Sequence, residues 1–224
     1  GAYPTFNYHV AGFGGVLHTV PFRDDFEDPH ALFAKAAEVS AKLVYLANPD
    51  NPMGSWWDAA TVQRTIDDIP DGATLMLDEA YSEFAPAGTL PPLDVTNPKL
   101  LRFRTFSKAY GLAGMRLGYC IGHAELIRAF DKIRNHFGVT KLGQVAGIAA
   151  LADQDHLRSV VTKVSAAREH ISAIKVGDRY EVITTAFNSI RDDAKSLVEQ
   201  YADGKISTME RLGNVWMKFS RGDI

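Results

Sequence analysis

A single cysteine, Cys120, in 224 residues leaves no internal disulfide to be made and suits a reducing compartment, so the chain is expected to be cytoplasmic. There is no excess of basic charge: 24 Lys and Arg stand against 27 Asp and Glu, a net of −3, which removes the electrostatic footprint for nucleic acid or an anionic membrane. No apolar run approaches the roughly 20 residues of a bilayer span. The seven histidines are scattered and none has the spacing of a zinc or metalloprotease motif, so no metal is expected. G-x-S-x-G and Walker A segments are both missing. The run Gly12-Phe13-Gly14-Gly15 fails as a dinucleotide fingerprint because Leu17 stands where the third glycine belongs. What remains, 46% apolar and 23% charged, is the balance of an ordinary globular chain.

The chain opens on Gly1-Ala2-Tyr3-Pro4, with no initiator methionine and no signal-peptide pattern, and reads as the interior of a longer polypeptide. From there strand and helix signals alternate. Val16–Val20 is strand-like, and Asp28 with Pro29 forms a helix start whose helix runs to about Ser40. Lys42–Leu46, Ala73–Leu77, Leu100–Phe106 and Leu117–Ile121 read as strands, and Asp58–Ile69 as a helix. Helices are predicted over Ala124–Asn135, Leu142–Leu151 and Asp155–Ile174. The last has Leu157, Val160, Val161, Val164, Ala167, Ile171 and Ile174 on one face. Beyond Gly177 the pattern predicts a strand over Tyr180–Arg191, a helix over Asp193–Tyr201 and strands over Ile206–Arg211 and Asn214–Phe219.

This order implies an α/β fold: a mostly parallel, doubly wound sheet over residues 1–154, a long connecting helix over 155–176, and a small C-terminal α+β domain over 177–224. Ligands of such sheets bind outside the carboxyl ends of the strands. Polar residues cluster at three of those ends: Asn48–Asn51, Asp78–Glu83 and Ser107-Lys108. Cys120, inside a strand, reads as a buried, inert thiol.

Four segments then stand in order: Pro4-Thr5-Phe6-Asn7-Tyr8, Asn51-Pro52-Met53-Gly54, Asp78-Glu79-Ala80-Tyr81, and Ser107-Lys108 through Gly114-Met115-Arg116. Together they resemble the signature segments of fold-type I pyridoxal-phosphate aminotransferases, and within these the histidinol-phosphate aminotransferase branch. The resemblance implies the cofactor pyridoxal 5'-phosphate, held as a Schiff base on Lys108. It also implies a homodimer acting on an amino donor and an oxo-acid acceptor, such as histidinol phosphate as donor. Asp78 would pair with the ring nitrogen and keep the ring an electron acceptor. Asn51 and Tyr81 would hydrogen-bond the cofactor's phenolic oxygen. Thr105, Ser107 and Arg116 would hold its phosphate, and Phe6 would stack on its ring. Glu79 would point away from the site. Tyr8, Trp56 and Tyr110 either line the substrate pocket or pack.

The same resemblance puts Lys218 where the family carries a substrate-gripping arginine, and a lysine has no guanidinium fork. Arg221, three residues on, would face the other side of a regular strand. Two further readings stay open: a decarboxylase of the threonine-phosphate type, since one electron sink serves either bond cleavage, and a binding or regulatory module that kept the scaffold without turnover.

Overall fold

Four short strands build the sheet that positions the site. The computed structural model describes residues 4–173 together with Thr185, Asn188, Ser189 and Asp192. The strands are β1 (Leu43–Ala47), β2 (Thr74–Asp78), β3 (Leu100–Thr105) and β4 (Gly118–Gly122), in the spatial order β1-β2-β3-β4. β1 and β2 pair in parallel, as do β2 and β3, in registers that set Ala47 beside Asp78 and Asp78 beside Phe103. The fold is α/β with a mostly parallel sheet. β4 runs antiparallel to β3. Residues 106–117 between them hold only one turn of 3₁₀ helix, Ala113–Met115. Without a crossover helix the chain cannot return to start a further parallel strand.

Helices α2 (Pro29–Glu38) and α3 (Ala59–Asp67) start as the sequence predicts. Asp28 accepts from the Ala31 N–H at 3.0 Å and Asp58 from the Thr61 N–H at 2.7 Å, which satisfies amides that a helix start leaves open. Val62 and Ile66 of α3 and Ala36 of α2 pack with Val44, Leu46, Leu75, Leu77 and Leu100 in one apolar core. Because side chains alternate across a strand, Tyr45, Met76 and Asp78 take the opposite face, and all three are half-buried. At these positions β1 and β2 are thus fully buried on one face and half-buried on the other.

Several elements differ from expectation. Pro4–Gly12 forms a helix, α1, under the first signature segment. Val16–Val20 is irregular: a strand needs a neighbour to take its backbone hydrogen bonds, and among the described residues this segment pairs with none. α4 (Ala124–Asp131) stops short of Asn135, whose side-chain oxygen accepts from the Phe137 N–H at 3.0 Å and so offers the backbone a turn in place of another helical bond. α5 (Lys141–Ala152) is capped by Thr140, whose hydroxyl accepts from the Gly143 N–H at 3.0 Å, and α6 (Gln154–Ala173) follows. Leu157, Val160, Val161 and Val164 of α6 are half-buried, while Ala167 and Ile171 on the same stripe are exposed.

The chain divides into two compact units, Gly1–Ala166 and Ala167–Ile224, with the division inside α6. In the second unit Thr185, Asn188 and Ser189 are helical where the sequence pattern predicts a strand over Tyr180–Arg191, and Asp192 is helical as well. β-propensity reports a fit to a half-buried pleated surface more than a backbone preference, and is readily overridden. The elements expected over 193–224, with Lys218 and Arg221, lie outside the described residues. No helix among the described residues is long and apolar enough to cross a membrane. Cys120 is half-buried in β4, and desolvation pushes its thiol up to about 11, which leaves it a poor nucleophile at neutral pH.

Candidate active site

The carboxyl ends of β1, β2 and β3 carry the predicted residues. After β1 the chain turns through Asn48, which is buried and brackets Trp57: its side chain accepts from the Trp57 N–H at 2.8 Å and donates to the Trp57 carbonyl at 3.1 Å. This pins the turn bearing Asn51. The Asn51 amide donates to the Tyr81 hydroxyl at 3.4 Å, which joins the β1 and β2 ends. Across the next gap the Lys108 ammonium lies 5.0 Å from the centroid of the Tyr81 ring, a cation–π contact that joins the β2 and β3 ends. Lys108 is exposed, while Asn51, Asp78 and Tyr81 are half-buried, so the amine is open to solvent above a partly dry floor.

Asp78 is held at both oxygens. Oδ1 accepts from the Ala80 N–H at 2.9 Å and Oδ2 from the Tyr45 hydroxyl at 2.7 Å. The Thr105 hydroxyl oxygen accepts from the Ser107 N–H at 3.0 Å, which shapes the turn leading into Lys108. That turn closes with the Gly111 N–H on the Lys108 carbonyl at 2.9 Å, and Gly111 sits at φ 68°, a left-handed conformation in which a Cβ would be strained. Arg116 is exposed, and its guanidinium donates to the Ala113 carbonyl at 2.9 Å. Phe6 is stacked on Tyr45, with centroids 4.7 Å apart and planes at 25°. Tyr110 packs on Phe106 and Tyr8 is exposed.

Three further residues complete the surroundings. Tyr45 read as part of an apolar strand, yet its hydroxyl is a direct partner of Asp78. Glu79 does face away from Asp78, and it ends in a buried ion cluster. It is fully buried, its Oε1 takes the Arg102 Nε at 2.8 Å and its Oε2 takes the Arg104 Nε at 2.8 Å. Arg102, also buried, donates further to the carbonyls of Pro91 and Pro92. The available signal was the alternation Arg102-Phe103-Arg104, charged residues inside a strand of a mostly parallel sheet.

Glu27 is the third. Only 6% exposed, it accepts from the Ala47 N–H at 2.8 Å at the end of β1. Burial, with the negative charges of Asp50 and Asp78, raises it to about 8 against the Ala47 hydrogen bond, which lowers it. The folded chain therefore holds a proton that the unfolded chain releases near 4.5. The stability this gives is full below pH 4.5 and is lost as pH rises through about 8. Each tenfold change in proton affinity is worth about 1.4 kcal/mol, so the total is on the order of a few kcal/mol. Glu27→Gln stays neutral and can still accept from Ala47. Urea unfolding from pH 5 to 9 is expected to show wild type losing stability relative to this variant, and parallel curves would refute the assignment.

The sequence model of aminotransferase class I and II matches residues 2–191. The chain belongs to this family. Histidinol-phosphate aminotransferase 1 of Mesorhizobium japonicum is 30% identical over 210 residues, covering 90% of this chain and 57% of that protein. An aromatic amino acid aminotransferase of Mycobacterium avium is 37% identical over 162 residues, covering 71% and 45%. Among solved structures, histidinol-phosphate aminotransferase from Sinorhizobium meliloti in complex with pyridoxal 5'-phosphate superposes with a TM-score of 0.74 at 55% identity, covering 76% of this aminotransferase-family chain and 47% of that one. The chain spans about half the length of the curated relatives it matches.

Proposed function

We propose that the protein is a pyridoxal-phosphate-dependent aminotransferase acting on an amino acid or an amino-acid-derived phosphate such as histidinol phosphate, with an oxo acid as acceptor. The observation that carries this reading is the meeting of Asn51, Tyr81 and Lys108 across three strand ends, with Asp78 fixed at its two oxygens beside them. The donor set suits the group. An exposed primary amine matches an aldehyde, a half-buried carboxylate a pyridinium nitrogen, and a phenol with an amide a phenolate oxygen. The hydroxyls of Thr105 and Ser107 with the Arg116 guanidinium match a phosphate. The S. meliloti relative carries the same cofactor.

Pyridoxal 5'-phosphate supplies, when bound, an electron sink for the pair left as a bond to the substrate's Cα breaks. The rest falls to the chain. Asp78 would pair with the ring nitrogen and keep a proton on it. Lys108 would hold the cofactor through its aldehyde and, with its amine freed by the amino donor, would serve as the acid and base for the proton at the substrate's Cα. Tyr81 and Asn51 would hold the cofactor's phenolic oxygen. Phe6, expected on the ring face, rests on Tyr45 in this structure. A homodimer in a reducing cytoplasm belongs to the same proposal, as does Lys218 as the substrate's cationic partner.

The test is an absorbance titration with pyridoxal 5'-phosphate, then borohydride reduction and peptide mapping. Label on the Lys108 peptide, absent in Lys108→Ala, is the expected result. Label spread over surface lysines would overturn the reading. Oxo product from a panel of histidinol phosphate and aromatic amino acids supports transamination, whereas released carbon dioxide would point to decarboxylation.

A further inference from the structure

Tyr45 is out of place as a core residue. Its strand neighbours Val44 and Leu46 face the apolar core under α2 and α3, while Tyr45 faces the other way, onto the face that carries Asp78. The parallel register sets Tyr45 beside Met76, two residues before Asp78 on the same face, and from there the phenol reaches Asp78 Oδ2 at 2.7 Å. Burial, with the Asp78 charge beside it, raises the phenol above its ordinary range, so at neutral pH it is a donor and stays one. Its ring is itself held by the Phe6 stack at 4.7 Å. Each Asp78 oxygen thus has one donor from the chain, Ala80 N–H on Oδ1 and Tyr45 O–H on Oδ2, and each keeps lone-pair capacity for a ligand.

We propose that Tyr45, held by Phe6, is the positioning residue that presents the Asp78 carboxylate to the ring nitrogen of the cofactor. The inference rests on the reading of Asp78 given above. The carboxylate is oriented when the chain folds, so the cofactor does not bear the cost of orienting it on binding. Tyr45→Phe removes one oxygen atom and keeps the ring stacked on Phe6. A hydrogen bond to a charged group is worth enough to weaken pyridoxal 5'-phosphate binding about tenfold.

Two probes separate positioning from packing: pyridoxal 5'-phosphate, and its analogue in which carbon replaces the ring nitrogen. Binding of both is measured by fluorescence titration of the full chain, wild type and Tyr45→Phe. The expected result is about a tenfold loss for pyridoxal 5'-phosphate and affinities within about twofold for the analogue, which offers Asp78 nothing to meet. Equal loss for both probes, or loss for neither, would overturn the proposal. A wild type that binds both probes equally well sinks instead the reading of Asp78, and one that binds neither sinks the cofactor. Should Tyr45→Phe not fold, Tyr45→His keeps a ring on Phe6 with a shorter N–H donor, and a loss confined to pyridoxal 5'-phosphate is expected, with equal loss for both probes again overturning the proposal.

Discussion

Asp78→Ala is expected to keep the covalent label on Lys108 and to lower turnover about 10²–10³-fold, the usual range when one pre-set electrostatic partner of the reacting group is removed. The two effects separate because Lys108 sits on the β3 end and Asp78 on the β2 end: the amine remains where it is when the carboxylate is lost. The change also strips the Tyr45 hydroxyl and the Ala80 N–H of their acceptor, which costs about 1–3 kcal/mol of stability where such groups stay dry. Asp78→Asn tells the chemical loss from the structural one. It keeps the shape and an acceptor oxygen, so most of the stability should return while turnover should not. Single-turnover rates with a reactive amino donor, read beside urea unfolding, make the comparison. Near-normal turnover in either variant would remove Asp78 from the reaction.

Glu79→Gln is expected to cost about 3–5 kcal/mol of unfolding free energy, the range for breaking a buried ion pair from one side. The reason is what it leaves behind. Arg102 is 1% exposed and loses a carboxylate that takes two of its N–H groups, while its remaining hydrogen bonds to Pro91 and Pro92 are to neutral carbonyls. Against a typical domain stability of about 5–15 kcal/mol this is a large fraction. Replacing Glu79 and Arg102 together by leucine and methionine should recover much of the loss, because the fully buried Arg102 charge is then gone and only the half-buried Arg104 loses its partner. Equilibrium urea unfolding of the single and double variants checks both statements. A single variant within 1 kcal/mol of wild type would show that water reaches the arginine.

The parts of the fold and site that were legible in the sequence carry their information locally. Asp28-Pro29 and Asp58 cap helices by chemistry contained within four residues, and Asn51, Asp78, Tyr81 and Lys108 stand at strand ends that follow from hydrophobic runs. What escaped was set by partners distant along the chain. Tyr45 meets Asp78 across 33 residues, Arg102 meets Glu79 across 23, and Glu27 meets Ala47 across 20; apart from the charged alternation around Arg102, nothing in a local window singles these side chains out. Val16–Val20 failed for the complementary reason, since strand propensity says nothing about whether a partner edge is present. The antiparallel β4 was open to inference from the short 106–117 link, which holds no crossover helix.

The opposite aim of Asp78 and Glu79, one peptide bond apart, bears on how such a chain can diversify. On one side of the sheet lie Tyr45, Met76 and Asp78; on the other lie Glu79, Arg102 and Arg104, locked together. If the first side carries the proposed site, substitutions there alter recognition at modest risk to the scaffold, and selection can explore them one at a time. The second side admits only paired changes. An insertion or deletion of one residue in β2 would exchange the two populations, turning the Asp78 position towards the core and the Glu79 position away from it. New specificities on this framework are therefore reached by point substitution and not by changes of length within the strand.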